Sequence, residues 1–296
     1  KGGKHWSEVE ADTAVRYLNM AKKDDKPFFF YLAFNAPHDP RQSPQEYLDI
    51  YPVSDIKVPE NFLDAYPHRK VMKAPHSLRD EKLAPMPRTK RSVQVARREY
   101  FALITHMDTQ IGRVLNALEK NGQLENTYIV FTADHGLGCG HHGLLGKQNM
   151  YDHSIRVPYV VVGPEVEAGK RISAPIYIQD SVPTALEVAG VEIPEHIQYQ
   201  SYIPILRGES SGRDQIYSAY LKDAQRALTK GGYKLILYPG GGIARLYDLG
   251  TDPQETVDLL QKGKGKDIAR RLFKALKLEA KLHGDRLDFG EYKALH

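Results

Sequence analysis

The sequence predicts an α/β fold: a doubly wound sheet over residues 1–208, then a smaller α+β subdomain over 209–296 with antiparallel strands and a terminal helix. Two observations predict it. Apolar runs alternate with amphipathic stretches up to Arg207-Gly208-Glu209, and beyond that point the texture changes to short strand-like pieces. Asp12 to Lys22 reads as a helix with Val15, Leu18 and Asn19 on one face, stopped by the turn Lys22-Lys23-Asp24-Asp25-Lys26-Pro27. Phe28 to Phe34 is an unbroken apolar run that suits a strand buried on both faces, and it ends in the polar cluster Asn35-Ala36-Pro37-His38. From Arg41 to about Lys90, prolines and charges dominate without a period, which reads as a long irregular excursion, usually functional or mobile.

From Val93 to Lys120 the positions Tyr100, Leu103, Met107, Ile111, Val114, Leu115 and Leu118 recur at three and four, so a long amphipathic helix is expected, stopped by Gly122. Thr127 to Thr132 is a second buried-strand candidate that runs into Ala133-Asp134-His135-Gly136; Pro158 to Val162 is a third, and Ser181 to Ala189 a helix. In the subdomain, strands are expected at Ile216 to Tyr220, Tyr233 to Tyr238 and Arg245 to Leu249, with a basic helix from Asp267 to Leu282. Gly240-Gly241-Gly242 lacks a following helix and Lys-Ser or Lys-Thr, so it reads as a hairpin turn and not a phosphate loop.

The 296 residues are 41% hydrophobic and 26% charged, enough for a sizeable core. A net charge of +4, from 41 basic against 37 acidic residues, argues for neither nucleic acid nor an anionic membrane as partner and is compatible with anionic substrates. No apolar run approaches the roughly 18 residues of a membrane span. One cysteine, Cys139, excludes an intrachain disulfide and leaves the compartment open. The opening Lys1-Gly2-Gly3-Lys4-His5-Trp6 has no initiator methionine or apolar leader, so any targeting signal is expected upstream of it.

Ligands of open α/β sheets gather at the carboxyl ends of the strands, which brings His38 and the Asp134-His135 pair into one expected pocket. A carboxylate on the sharp Asp-His-Gly turn can face a hard cation and the imidazole can add a second donor. On the dipeptide alone, a turn cap and a packed histidine are the plainer reading. The glycine-rich stretch Gly136 to Lys147 lets backbone approach a bound oxyanion; Lys147 offers it a point charge, and a histidine such as His142 can protonate a leaving oxygen. Taken separately, a surface lysine and a solvated loop histidine are the plainer readings of Lys147 and His142.

The ordered set changes that. The apolar run ending in Pro37-His38, Ile111 to Glu119, Asn126 to Gly136 (Asn-Thr-Tyr-Ile-Val-Phe-Thr-Ala-Asp-His-Gly), His142 to Lys147, Ile155 to Pro158, Asp180 to Gly190, Tyr233 to Tyr238, Leu246 to Leu249 and Asp252-Pro253-Gln254-Glu255 together resemble the sulfatase family of the alkaline phosphatase superfamily. The resemblance covers nearly the whole chain apart from roughly residues 41–90. It implies an alkaline phosphatase-like central sheet flanked by helices, here in part, and hydrolysis of sulfuric esters, with a sulfated small molecule or glycan as substrate. By the same resemblance Asp134 and His135 are two ligands of one Ca2+ whose remaining ligands lie upstream of Lys1. Lys147 bridges the sulfate and the catalytic residue, His38 contacts the sulfate and assists the leaving alcohol, and His142 lies near the pocket. A periplasmic or secreted location is implied as well.

The family's nucleophile is a formylglycine made from Cys or Ser in Cys/Ser-x-Pro-x-Arg, and this chain lacks it. Cys139 precedes Gly-His-His-Gly, and Ser181-Val182-Pro183-Thr184-Ala185 has no arginine. Asp24-Asp25 precedes its strand and reads as a solvated turn and not as the family's upstream Asp-Asp ligand pair. The chain alone is therefore expected to be inactive without an upstream segment. Two alternatives stay open: a phosphodiester or phosphonate monoester hydrolase of the same superfamily, and a non-catalytic remnant. The basic stretch Arg88 to Arg98 serves either to steer a polyanion or simply as solvated charge.

Overall fold

A computed structural model describes residues 3–24 and 26–296. Of the Asp24-Asp25 pair, Asp24 lies in an exposed bend as expected, while Asp25 falls outside the described residues. Helix α1, Trp6–Ala21, is entered from His5, whose ring nitrogen accepts the Ser7 N–H at 3.1 Å. It starts earlier than its apolar pattern, and its buried stripe is Ser7, Ala11, Ala14 and Leu18; Asn19 is exposed. A short helix α2, Gln45–Asp49, leads by irregular turns to α3, Lys90–Lys120. Thr89 and Ser92 close a reciprocal cap at the α3 entry, each side chain accepting the other's backbone N–H. Gly122, at φ +73, turns the chain out of α3, and its N–H reaches Glu119 O. Ala11, Ala14 and Leu18 of α1 pack on Val114 and Leu118 of α3, burying both apolar stripes.

The sheet differs from the expected one. Strand β1, Ile129–Thr132, pairs antiparallel with β2, Tyr159–Val162, in the register Ile129 to Val162 and Thr132 to Tyr159. Phe28 to Phe34 is extended but unpaired. Its alternate residues Phe28, Phe30 and Leu32 pack against α1 and α3, whereas Phe29 and Tyr31 stand 76% and 81% exposed. An uninterrupted apolar run does not reveal how many of its faces are covered; here one is. The same one-sidedness leaves Val160 and Val162 about half exposed on β2. Helices α4, Asp152–Ile155, α5, Ser181–Val188, and α6, Ile203–Leu206, follow.

The C-terminal part is a four-stranded antiparallel meander, β3 Gln215–Tyr220, β4 Gln225–Lys230, β5 Tyr233–Tyr238 and β6 Ile243–Asp248, in sequential order. Gly242, at φ +57, closes the β5–β6 hairpin where the glycine triplet predicted a turn. Strand β4 was not expected; Arg226 and Lys230 broke its apolar pattern, yet Arg226 is buried against Asp285 and Tyr217. One face of the meander takes α7, Lys266–Leu282, through Leu228, Leu235, Leu237, Leu272 and Leu276. The other meets the first part of the chain, where Ala227, Ile236, Tyr238 and Tyr247 pack with Tyr66, Met72, Leu144 and Tyr151.

At that junction Lys234 is fully buried between Asp152 and Glu255, with Nζ 2.8 Å from Glu255 Oε1, and Glu255 Oε2 accepts the Asp152 N–H at 2.7 Å. This accounts for the Asp252-to-Glu255 motif in physical terms: it delivers a buried carboxylate to a buried ammonium. Replacing Lys234 by alanine leaves the buried Glu255 without its cation and Asp152 with the exposed Arg156 at 3.6 Å, a loss of about 3–5 kcal/mol for a broken buried pair. Denaturant unfolding of Lys234→Ala should show that loss; a change below about 1 kcal/mol would remove the ion cluster from the forces that fix the junction.

Candidate active site

The segment from Asp134 to Lys147 is an irregular hairpin. Gly138 N–H donates to Gly146 O at 2.9 Å and Gly140 N–H to Leu144 O at 2.8 Å. A Cβ at Gly138 would lie 2.6 Å from Leu144 O, and one at Gly143, φ +72, 2.4 Å from Leu63 O, so these glycines admit protein backbone and not a ligand. The oxyanion that the loop amides hold is a side chain of the same protein: Glu81 Oε1 accepts Leu145 N–H at 3.1 Å and Gly146 N–H at 2.9 Å. Its Oε2 meets Arg88 at 2.6 Å and Arg69 at 3.1 Å, all within the interior. Arg88 thus leaves the basic stretch as a buried structural residue. Arg97 and Arg98 donate to the carbonyls of Cys139 and Leu48, and Lys90 and Arg91 remain exposed.

So braced, the hairpin brings Lys147 to His38. Nζ lies 3.2 Å from His38 Nε2, across 109 positions of sequence, and Arg79 lies 3.0 Å from the same nitrogen. Ammonium and guanidinium have only donors, so Nε2 accepts and the ring proton sits on Nδ1, 2.9 Å from Asp39 O. Asp80 stands behind them, buried. It accepts from Arg79 at 2.9 Å and from Gln148 at 3.0 Å and lies 3.9 Å from Lys147 Nζ. Burial works to raise its pKa, but the hydrogen bonds from Gln148 and Arg79 and the charge of Lys147 outweigh it and hold the carboxyl below its ordinary value. The hydrogen bond to Asp80, with the charge of Asp39 3.4 Å away, raises Arg79 in turn. Arg79, Asp80, Glu81 and Gln148 were not singled out from the sequence. The first three are consecutive charges in an aperiodic, proline-rich excursion, and no spacing marks them.

Asp134 and His135 form a second pair. Asp134 Oδ1 accepts the His135 N–H at 2.9 Å, Oδ2 is 3.3 Å from His135 Nε2, and the carboxylate is largely exposed. Among the described residues no hydrogen bond or ion pair joins them to His38 or Lys147, and no three histidine, cysteine, aspartate or glutamate side chains gather to hold a metal. One exposed carboxylate beside one imidazole fits part of the shell of a hard cation, which takes about six to eight donors in the case of Ca2+.

His142 is neither solvated nor in contact with these pairs. It is buried with its ring stacked on Tyr151 at 3.9 Å, and its Nε2 is 3.2 Å from Asn61 Nδ2. Cys139 is likewise buried, and burial pushes its thiol up to about 11. Burial, reinforced by Arg245, lowers His142 to about 3. A histidine neutral when folded but ionising near 6.5 when unfolded contributes stability that is complete above about pH 6.5 and lost as the pH falls toward 3, at about 1.4 kcal/mol per unit. Urea unfolding at pH 7 and 5 should give a loss about 2 kcal/mol smaller in His142→Asn, whose residue tolerates the φ of +52 at this position. Equal pH slopes in the two proteins would contradict the assignment.

Comparison with known proteins follows the same lines. The sulfatase family model matches residues 1–191, and the model of the N-sulphoglucosamine sulphohydrolase C-terminal region matches 140–281. Arylsulfatase K of Xenopus laevis is 28% identical over 289 residues, covering 86% of this chain and 52% of its own. N-acetylglucosamine-6-O-sulfatase of Bacteroides thetaiotaomicron is 34% identical over 201 residues, covering 64% and 36%. The solved structure of BT4656 in complex with its substrate D-glucosamine-2-N,6-O-disulfate superposes with a TM-score of 0.79 at 26% identity, over 96% of this chain and 71% of that one. The chain spans about half the length of the curated relatives it matches.

Proposed function

The chain belongs to the sulfatase family, and we propose that the full-length protein is a sulfuric ester hydrolase acting on a sulfated carbohydrate. The observation that carries this is the meeting of Lys147 with His38 at 3.2 Å, a cation and an imidazole brought together from the ends of two separate segments. Support for the substrate class comes from the sulfated sugars named for the Bacteroides thetaiotaomicron relative and for BT4656.

In this reading Lys147 holds the sulfate as a point charge and stabilises the charge that grows on its oxygens as the ester bond breaks. His38 stands beside the leaving alcohol oxygen. Asp134 and His135 would supply two of the donors to a Ca2+ ion, which when bound would add positive charge to stabilise the sulfate's developing anion. The attacking formylglycine and the other metal ligands come from outside residues 1–296. Residues 1–208 belong to the catalytic domain, in which β1, β2 and the extended 28–34 segment are parts of a wider alkaline phosphatase-like sheet, and residues 209–296 brace it as a subdomain.

Lys147→Ala and Asp134→Ala in the full-length protein should each lower turnover of an aryl sulfate at least about a hundredfold, the scale of removing one preorganised charge partner. Aryl phosphate and phosphonate esters should turn over more slowly than the sulfate. Undiminished sulfate turnover in either variant, or a preference for phosphorus esters, would overturn the proposal.

A further inference from the structure

Nothing in the sulfate-ester reading uses Arg79, yet it lies closer to His38 than Lys147 does. Its guanidinium and the Lys147 ammonium both converge on His38 Nε2, at 3.0 and 3.2 Å. Two cations sharing one neutral acceptor repel each other and satisfy few of their donors, whereas an anionic oxygen at that point would satisfy both. The carboxylates that offset them stand behind. The Arg79 side chain is 64% exposed and that of Lys147 22%, against 13% for Asp39 and 5% for Asp80, so the cations front the solvent and the carboxylates back them. Asp80 is also pinned away from the front by Gln148 at 3.0 Å. Arg79 is aimed by its bond to Asp80, which leaves the rest of its fork of donors available for a planar or tetrahedral oxyanion.

We infer that Arg79 is a second cationic contact for the substrate's sulfate group, gripping together with Lys147 one oxyanion oxygen that takes the place His38 Nε2 holds in this structure. The inference rests on the sulfate-ester reading and adds a specificity-determining residue to it. It also gives the residue a place in the order of events. While both cations donate to Nε2, that nitrogen is occupied; once they turn to the sulfate, Nε2 is free to take a proton from solvent water and pass it to the ester's leaving oxygen. The excursion over residues 41–90, which carries Arg79, then selects for substrates whose sulfate can be reached by a guanidinium from that side.

Calorimetric titration of inorganic sulfate into the full-length protein tests this, with Arg79→Ala, Arg79→Lys and Lys147→Ala compared with the parent. Arg79 is exposed, so its loss does not threaten folding. Arg79→Ala should weaken sulfate binding about tenfold, a charge-assisted contact discounted for its exposure, and should raise KM for an aryl sulfate in step. Arg79→Lys should recover part of that loss. If Arg79→Ala binds sulfate as tightly as the parent while Lys147→Ala does not, the inference falls and the sulfate-ester reading stands. If Lys147→Ala also binds sulfate unchanged, both fall.

Discussion

Glu81 is the carboxylate on which the local architecture turns. It is buried, and each of its oxygens is doubly engaged: Oε1 by the amides of Leu145 and Gly146, Oε2 by Arg69 and Arg88. A buried ion cluster of this kind owes little of its presence to net stability, because desolvation offsets most of the attraction; what it supplies is a fixed position. The position it fixes is that of the hairpin ending at Lys147. Without a partner inside the interior, the Leu145 and Gly146 amides would be orphaned donors, so the hairpin can take this path only where that carboxylate is.

The neighbours of Glu81 extend the same constraint outward. Three consecutive residues of one turn have three separate tasks: Glu81 holds the hairpin backbone, Asp80 ties Gln148 and stands behind the Lys147 ammonium, and Arg79 reaches His38. On the far side, the hydroxyl network of Tyr66, Tyr151, Tyr238 and Tyr247, with Arg245 donating to Tyr66, joins the excursion and the region after the hairpin to the meander. The C-terminal strands thereby support the site from below without contributing a residue to it.

Much of this was legible in the sequence, and for identifiable reasons. Helix α3 follows from a three-and-four repeat, β1 and β2 from short β-branched runs, and the β5–β6 turn from its glycines. Strand ends placed His38 with Asp134 and His135, which no hydrogen bond joins to it among the described residues, while Lys147, which does meet His38, was marked by the glycine-rich loop and the family resemblance. What was not legible depends on partners. The run Phe28 to Phe34 states its hydrophobicity but not that only one of its faces is packed, and the glycines of the hairpin state backbone freedom but not that protein backbone would use it. His142 read as a loop histidine because its stacking partner, Tyr151, is known only from the fold. Arg79, Asp80 and Glu81 were hidden because ionic contacts carry no period, and only the folded excursion shows that three adjacent charges point to three different places.

The dependence of the Lys147 hairpin on Glu81 is open to direct measurement by amide hydrogen exchange on the full-length protein and its Glu81→Ala variant. The amides of Leu145 and Gly146 should lose most of their protection in the variant while those of β4 and β5 keep theirs. Unchanged protection at Leu145 and Gly146 would mean that the hairpin holds its course without the carboxylate, and the site would need another physical origin.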